Sequence, residues 1–428
     1  MAGAISDGEN DSESVVLLIL VGILLGAVTN YALSVWRNNS SFYHPLIFIE
    51  GIIIAELHQA ANADFSISRA IESWVNVDSE LLLYIFLPAI VFHDSTSVHW
   101  RQIKGALPQT MILSFPGVVA GSYLLGAACF LMIPLGLSWY EAMLLGTILS
   151  AIDPTAVIEE MHDSGASKKL IAMMLTEGIF TDGSAIMFFL LIYDIMSGSS
   201  ISAADIIGYF AYQIFVSFAI GGVLGYLFVR FLRIFKRSLM AQDVFIQLAL
   251  TLCSAYLSFF LGQSVFNVSG SWSCTATAII VSWKGAPIIL DHESMRIFWG
   301  VVVWLANTMI YLISGLIFSM RTLDNIAAIN WLYLFLLYLV VLLVRAITVF
   351  ASFPIIKDAG NRCSFKEALF IIFAASRGPP SLIMAILVEQ NYEYLNISLE
   401  DANNIFFFVG GIVALSIVIN GNTIIVYY

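Results

Sequence analysis

The chain has 428 residues, of which 60% are hydrophobic and only 11% are charged, and its mean hydropathy is +0.90. Soluble domains carry about 25% charged residues, so this composition excludes a soluble enzyme and a nucleic-acid-binding protein. The formal net charge of −12 is informative only through its distribution over loops. We therefore expect an all-α polytopic membrane protein in contact with membrane lipids.

The apolar windows predict the number of membrane spans. A span needs about 20 predominantly apolar residues, and windows of that size between polar breaks give thirteen candidates. In chain order they cover residues 15–36, 43–58, 79–97, 104–133, 140–162, 166–197, 204–232, 241–263, 269–287, 297–320, 328–356, 364–388 and 403–428. Residues 1–14 are an acidic segment before the first span, which we interpret as a retained span and not a signal peptide.

The basic residues predict the orientation, because cytoplasmic loops retain Lys and Arg. With the N-terminus outside and the C-terminus in the cytoplasm, fourteen of the eighteen basic residues fall in inside loops. The glycosylation sequons at Asn267 and Asn396 then fall outside, whereas the sequon at Asn38 falls inside and would be unused. The acidic outer face and the lack of a retention signal favour the plasma membrane.

An odd number of spans suggests two inverted six-helix repeats joined by a linker span, an arrangement common in secondary transporters. The linker would be residues 204–232, and the fifth span then corresponds to the twelfth. Both are interrupted at their centres, at Asp153-Pro154 in one and at residues 377–380 (RGPP) in the other. A kink can serve packing alone, but a pair of breaks with an acid in one and a base in the other predicts a midplane binding site.

The sixth span carries two acids, Glu177 and Asp182. Five residues at 100° each place them about 140° apart around a helix, so they cannot share one small site. Glu177 is the better structural partner for Arg377, whose charge needs neutralising in the membrane. Asp182 is left without an obvious basic neighbour, and Arg345 is expected to pair with a carbonyl or an acid.

An unpaired intramembrane carboxylate is a functional candidate, because it can hold either a proton or a cation. Unwound backbone at Ile152–Pro154 would supply carbonyl oxygens, Asp153 a second carboxyl group, and Thr181 or Thr155 a hydroxyl. All are hard oxygen donors suited to Na⁺. Asp153 has two interpretations that the sequence leaves open: direct contact with the ion, or neutralisation of the helix ends exposed by the break.

Other features of the sequence are less specific. Glu50, Glu56, His93 and Asp94 either line an entrance or lie near an interface. The four cysteines and six histidines have no spacing typical of a metal site, and no cofactor is expected. Neither a nucleophile–base arrangement nor a filter-like repeat is visible, so a hydrolytic enzyme or a channel is not expected.

Several motifs resemble those of one known family. "AIDPTAV" followed by "TEGIFTD" is similar to the paired A-x-D-P-x-A-V and G-E-S-x-x-N-D motifs of sodium/proton exchangers, in the monovalent cation/proton antiporter superfamily. "FLPAIVF", "LSFPGV", "SRGPPSL" and "IVINGNTI" also match in the expected order. The segments "SGASKKL" and "LANTMIYLISG" are most similar to the sequences of the plant salt-tolerance and sperm-type branch of that family.

The resemblance implies an NhaA-type fold with two broken crossing helices, the fifth and twelfth spans, and a homodimer. It implies a core of residues 104–197 and 328–428 that moves like an elevator against a dimerising scaffold of residues 15–97 and 241–320. It also implies electroneutral exchange of one Na⁺ or Li⁺ for one H⁺ at Asp182, with Glu177 and Arg377 as the structural pair. Regulators are expected to act through a cytoplasmic tail that is absent from this chain.

The chain departs from the family motifs at several positions. Thr181 stands where Asn is usual, Gly178 where Ser is usual, and His93, followed by Asp94, where a span-3 acid is common. Two prolines, Pro379 and Pro380, replace the small residues that usually follow Arg-Gly. These changes leave two alternatives open: K⁺/H⁺ or broad cation/H⁺ exchange, and a transport-deficient scaffold or sensor of the same fold.

Overall fold

The structure is a computed structural model that describes residues 2–36, 42–61, 66–132, 136–155, 157–158, 161, 167–198, 203–236, 241–323, 326–360 and 362–427. Its main helices, numbered in chain order, are α1 (Ala2–Trp36), α2 (Tyr43–Ala61), α3 (Ser66–Val75), α4 (Ser79–Ser97), α5 (Trp100–Ser114), α6 (Pro116–Met132), α7 (Trp139–Ile148), α8 (Lys168–Met196), α9 (Ala203–Ile234), α10 (Ala241–Phe260), α11 (Gly270–Ile280), α12 (His292–Ile317), α13 (Ala328–Ile356), α14 (Phe365–Phe373), α15 (Pro379–Gln390) and α16 (Leu399–Tyr427). Over this part of the chain there is no β-strand.

Eight helical stretches among the described residues are long and apolar enough to cross a membrane. The other five predicted windows correspond to shorter or interrupted elements. These are α2, α4, the segment that contains α7, α11 with the π and 3-10 turns that follow it, and the pair α14–α15. The end of the predicted 140–162 window lies partly outside the described residues.

Three elements differ from the sequence-based expectation. The predicted span 104–133 corresponds to one apolar stretch, Trp100–Met132, but this stretch contains two helices, α5 and α6, separated at Phe115 because Pro116 cannot donate a helical hydrogen bond. The short helix α3 lies between the first two predicted spans and the third, and it buries Ala70, Ile71, Trp74 and Val75 along one face. Helix α1 begins at Ala2, well before the predicted start of the first span.

The helices pack in two groups. Helices α5–α8 pack mainly on one another and on α13–α16, whereas α1–α4 pack mainly with α9–α12. The two groups meet where α4 and α11 contact α8, where α4 and α12 contact α15, and where α2 and the turn after α12 contact α16. The interrupted helices α7, α14 and α15 all belong to the first group, and their breaks lie close to this boundary.

Candidate functional site

Two short helices that begin with the same kind of capping box precede the site. Helix α7 begins with a capping box in which the Ser138 N–H donates to Glu141 Oε2 at 2.6 Å and the Glu141 N–H donates to Ser138 Oγ at 3.4 Å. Helix α14 begins with the same arrangement between Ser364 and Glu367, at 2.7 and 3.3 Å. The boxes satisfy N–H groups at the first turn of each helix. Both helices then end after three turns or fewer.

Non-helical backbone follows each of these helices. After α7, residues 151–154 are not helical, and helix resumes around Thr155, where the Ile158 N–H donates to the Pro154 carbonyl at 2.9 Å. After α14, residues 375–378 are not helical, and α15 starts with Pro379 and Pro380 in its first two positions. Proline is tolerated there because the first N–H groups of a helix have no helical acceptor.

The two interruptions lie against each other and satisfy each other's backbone groups. The Asp153 N–H donates to the Ser376 carbonyl at 3.0 Å, and the Ser376 hydroxyl donates to the Asp153 carbonyl. Arg377 Nε donates to the Leu149 carbonyl at 2.5 Å, and the Ser381 hydroxyl donates to the Ile148 carbonyl at 3.1 Å. Irregular backbone in a membrane needs such partners, since lipid supplies none.

Two glycines allow this close approach. A Cβ atom at Gly378 would overlap the carboxylate of Asp153, and a Cβ atom at Gly178 would lie 2.6 Å from Cδ of Pro154. Gly178 also stands where the family motif has Ser, and the contact with Pro154 gives a steric reason for that difference. Side chains larger than hydrogen at either position would separate α15 or α8 from the first interruption.

Asp182 is buried next to this crossing. Its side chain is 8% exposed, and its Oδ1 has no hydrogen-bond partner among the described residues. Asp153, by contrast, is partly exposed, and its Oδ1 accepts from the N–H of Thr155 at 3.0 Å and from the Thr155 hydroxyl at 2.6 Å. The structure therefore has one carboxylate oxygen that is without a partner among the described residues, on Asp182, and one that is hydrogen-bonded by the turn after it, on Asp153.

The remaining candidate ligands are placed less directly. The Thr181 hydroxyl is buried and donates to Ser114 Oγ on α5 at 3.1 Å, so its hydrogen is engaged within the first group of helices. The Ile152 carbonyl lies beside Gly178, as a Cβ at that glycine would be 3.5 Å from it. The structure thus brings Asp153 and Thr155 into hydrogen-bond contact, and it brings no other pair of the predicted ligands into such contact.

A cavity of about 430 Å³ leads to the first interruption. Asp153 and Thr155 line it together with His93 and Asp94 of α4. Asp94, Asp153 and Asp182 lie close enough for mutual electrostatic repulsion. In the described part of the chain, no three His, Cys, Asp or Glu side chains cluster tightly enough to bind a metal ion together.

This placement resolves an ambiguity at four acidic and histidine positions. Asp94 and His93 belong to the cavity wall, which the sequence left as one of two interpretations. Glu50 instead accepts from Thr29 at 2.5 Å, and Glu56 accepts from Ser319 at 2.8 Å, both away from the crossing. The signal that could have identified Asp94 is its position immediately after His93, where the family motif carries an acid.

The buried ion pair differs from the predicted one. Arg345 of α13 donates to Glu177 through Nη2, with 2.5 Å to Oε1, and the two side chains are 7% and 3% exposed. Arg377 makes no direct pair with Glu177, so the predicted Glu177–Arg377 pair is wrong as a contact. The physical reason is that Arg377 lies in an interruption whose carbonyls lack helical donors, and its guanidinium bonds those of Leu149 and Ala375 instead.

Comparison with known proteins gives the family. The model of the family "Sodium/hydrogen exchanger, transmembrane" matches residues 13–427. The chain belongs to the sodium/hydrogen exchanger family. This exchanger-family chain is 28% identical over 436 residues to sodium/hydrogen exchanger 8 of Arabidopsis thaliana. The aligned region covers 99% of the chain and 56% of that protein. It is 29% identical over 426 residues to exchanger 7 of the same plant, covering 97% of the chain and 36% of that protein.

The chain therefore spans about half of the length of one of these curated relatives and about a third of the other. Among solved structures, the sodium proton antiporter MjNhaP1 from Methanocaldococcus jannaschii superposes with a TM-score of 0.78. The match covers 96% of the exchanger-family chain and 97% of MjNhaP1, at 17% sequence identity. The exchanger-family chain therefore has the NhaA-type fold and is a multi-pass membrane protein.

Proposed function

We propose that this chain is the membrane unit of a secondary active antiporter that exchanges Na⁺ or Li⁺ for H⁺, one for one. The observation that carries the proposal is Asp182, a buried carboxyl group with an unpartnered oxygen beside two interrupted, crossing helices. Such a group binds either a proton or a small cation, and binding of one excludes binding of the other. Alternation between them couples the two fluxes.

In this proposal the surrounding oxygens complete the cation site. Asp153 and the Thr155 hydroxyl face the cavity through which a cation arrives. The Ile152 carbonyl and the Thr181 hydroxyl oxygen contribute from the buried side. Glu177 and Arg345 hold α8 against α13, and Arg377 holds the two interruptions together.

The NhaA-type architecture of the proposal comprises thirteen spans in two inverted repeats of six, with α9 as the linker. The matching capping boxes of α7 and α14 support a repeat. Lys169 Nζ donates to the Arg362 carbonyl at 2.6 Å, which places the start of α14 beside the start of α8. In the proposal the chain crosses the bundle between Ser138 and α8. The starts of α7 and α14 then lie at opposite ends of the bundle, so the two repeats run in opposite directions. Helices α5–α8 and α13–α16 would then move as an elevator core against a dimerising scaffold.

The two ends of the bundle support the proposed orientation. The start of α5 and the turns after α11, at the end where the cavity opens, carry Arg101, Lys104 and Lys284. Asn267 and Asn396 are exposed at the opposite end. The proposal therefore has the cavity open to the cytoplasm and both sequons outside, in the plasma membrane. An increase in mass by glycosylation at either asparagine, lost in Asn267→Gln or Asn396→Gln, would test it.

The exchange itself is tested in proteoliposomes loaded at acid pH, with Na⁺, Li⁺ or K⁺ added outside and internal pH recorded. We expect alkalinisation with Na⁺ and Li⁺ and its loss in Asp182→Asn. The matched control is Asp194→Asn, the same substitution near the end of the same helix, which should retain exchange. Retention in Asp182→Asn would refute the site.

The pattern of cations distinguishes the alternatives. Alkalinisation with K⁺ as fast as with Na⁺ would replace the proposed selectivity by broad cation/H⁺ exchange. A folded, dimeric protein that responds to no cation would be a transport-deficient scaffold of the same fold. A membrane-potential dye recorded in parallel tests electroneutrality, because a one-for-one exchange moves no net charge.

A further inference from the structure

A small polar network lies at the end of α15 that is remote from the crossing, where its residues also line a second cavity of about 540 Å³. Helix α15 begins at the crossing and ends at Gln390, and its last two residues both bond outside their own group of helices. Arg321 Nη1, in the π-turn after α12, donates to Glu389 Oε1 at 2.5 Å. Glu389 is fully buried, whereas Arg321 is 27% exposed. This pair therefore joins the core helix α15 to the end of α12.

The same network includes the loop before α4. Arg321 Nη2 donates to Asn76 Oδ1 at 2.7 Å and to the Val75 carbonyl at 3.2 Å. Gln390 accepts from the Ser79 N–H at 2.8 Å and donates to the Val77 carbonyl at 2.8 Å. We call Arg321, Glu389 and Gln390 the clamp. It makes five side-chain hydrogen bonds: one joins α15 to Arg321, two join Gln390 to residues 77–79, and two join Arg321 to residues 75–76.

The position of the clamp relative to the cavity gives it a role. Helix α4 has Ser79 at the clamp and His93, Asp94 and Ser97 at the cavity. Helix α12 likewise runs from Gly300, at the cavity, towards the turn that carries Arg321. The same two elements are therefore hydrogen-bonded to α15 at one end and border the cavity that Asp153 lines at the other, whereas Asp153 does not line the cavity at the clamp. This is the arrangement expected of one end state of alternating access.

Helix α15 connects the clamp to the candidate cation site. Its twelve residues span about 18 Å, and its first turn follows Gly378, which touches the carboxylate of Asp153. A displacement of Gln390 from residues 77–79 must therefore tilt or shift the helix whose other end forms the crossing. The buried Glu389 has a second oxygen without a partner among the described residues, so the network is not saturated in this state.

We propose that the clamp is a releasable lock: Arg321, Glu389 and Gln390 position α15 in the state in which the site opens to the cavity, and their release permits opening at the opposite end. The inference rests on the proposed exchange function, since it assigns a step of alternating access to these residues. They are positioning residues, because none of them reaches the cation site.

The test measures which end is open, without ion flux. Two reporter cysteines are made separately in a Cys253→Ala background, which removes the exposed native cysteine. Asn307→Cys lies in the cavity wall. Leu83→Cys is buried on α4, one turn after Ser79 and on the same face. Labelling of each by a membrane-impermeant maleimide is timed in proteoliposomes with and without Glu389→Gln or Gln390→Ala.

Both clamp variants should raise the Leu83→Cys labelling rate relative to the Asn307→Cys rate by about tenfold, since the bonds lost are few and individually modest. Gln109→Ala is the matched control. Gln109 also bonds two carbonyls, those of Ile356 and Ala359 at 3.1 and 2.8 Å, but within the core group. It should leave the ratio unchanged.

An unchanged ratio in both clamp variants, or an equal change in Gln109→Ala, would overturn the proposal. Because labelling needs no gradient, this result is independent of exchange. A shifted ratio in a protein that exchanges no cation would refute the proposed function and keep the clamp. Normal exchange with an unshifted ratio would refute the clamp alone.

Discussion

Each interruption leaves backbone groups without helical partners, and each carries one charged side chain, Asp153 in the first and Arg377 in the second. The two side chains differ in the contacts that they make. Among the described residues, the carboxylate of Asp153 accepts hydrogen bonds only from Thr155, two residues further on, and it is partly exposed to the cavity. Arg377 is 2% exposed, and its guanidinium donates through Nε to the Leu149 carbonyl at the end of α7 and through Nη1 to the Ala375 carbonyl in its own interruption. The acidic interruption therefore remains available to a cation, whereas the basic one is structural.

The difference follows from the chemistry of the two side chains. A broken helix leaves carbonyl groups without helical donors. Arg can bond several of them at once, because it carries five N–H donors in one plane. An acid cannot serve these carbonyls, so it is free for another partner. The comparison predicts that substitutions at the basic interruption chiefly lower stability and that those at the acidic interruption chiefly change cation binding.

The largest expected effect is on the basic side. Arg377→Met should lower the free energy of unfolding by roughly 4 kcal/mol, because the buried carbonyls of Leu149 and Ala375 lose their donor and each unsatisfied group costs roughly 1–3 kcal/mol. Asp153→Asn is the contrasting variant and should unfold close to the wild-type temperature while its apparent affinity for Na⁺ falls. Thermal unfolding in detergent and Na⁺-dependent exchange measure the two quantities. Equal destabilisation by both substitutions would contradict the division of roles.

A second prediction concerns which arginine pairs with Glu177. A double-mutant cycle of Glu177→Gln with Arg345→Met should give a coupling free energy of roughly 2–3 kcal/mol, as expected for a buried pair in direct contact. The corresponding cycle with Arg377→Met should give a much smaller coupling, because those side chains make no direct contact. A larger coupling to Arg377 than to Arg345 would restore the pairing predicted from the sequence.

That error shows how far the sequence could lead. Helix periodicity separates Glu177 from Asp182, and the prolines explain why helices end near residues 149 and 374, so these features depend on local physics. The partner of Glu177 depends on how α8, α13 and α14 pack, and the sequence offered two intramembrane arginines for one acid. The choice between them rests on the carbonyls exposed by the interruption, which only the three-dimensional crossing reveals.

The division of the span 104–133 and the presence of α3 illustrate the same limit. A run of apolar residues does not show that Pro116 separates two helices, and ten residues with a single buried face are too short to stand out as a span. Asp94 was visible in the sequence, but its place in the cavity wall required the packing of α4 against the crossing. Four of the five hydrogen bonds of the clamp join residues more than 240 positions apart along the chain, so the clamp gives no local signal in the sequence.

A third and smaller effect is expected where the two interruptions touch. Gly378→Ala places a Cβ against the Asp153 carboxylate and should lower the free energy of unfolding by about 2 kcal/mol, in the range found for overpacking. It should also reduce Na⁺ affinity, since the acid must move. Gly208→Ala is the matched control, because no atom lies within 4 Å of a Cβ there. If Gly378→Ala were as stable as this control and kept its affinity, the contact would not constrain Asp153.

The smallest predicted effect compares the two capping boxes. Ser138→Ala and Ser364→Ala each remove one side-chain acceptor at a helix start and should each cost about 1 kcal/mol in thermal or denaturant unfolding. Their functional effects should differ, since α7 leads to the acidic interruption and α14 to the basic one. We expect Na⁺ affinity to fall more in Ser138→Ala, because fraying of α7 reaches Asp153 along its own chain. Equal losses of affinity would mean that the crossing couples the two interruptions so tightly that neither half moves alone.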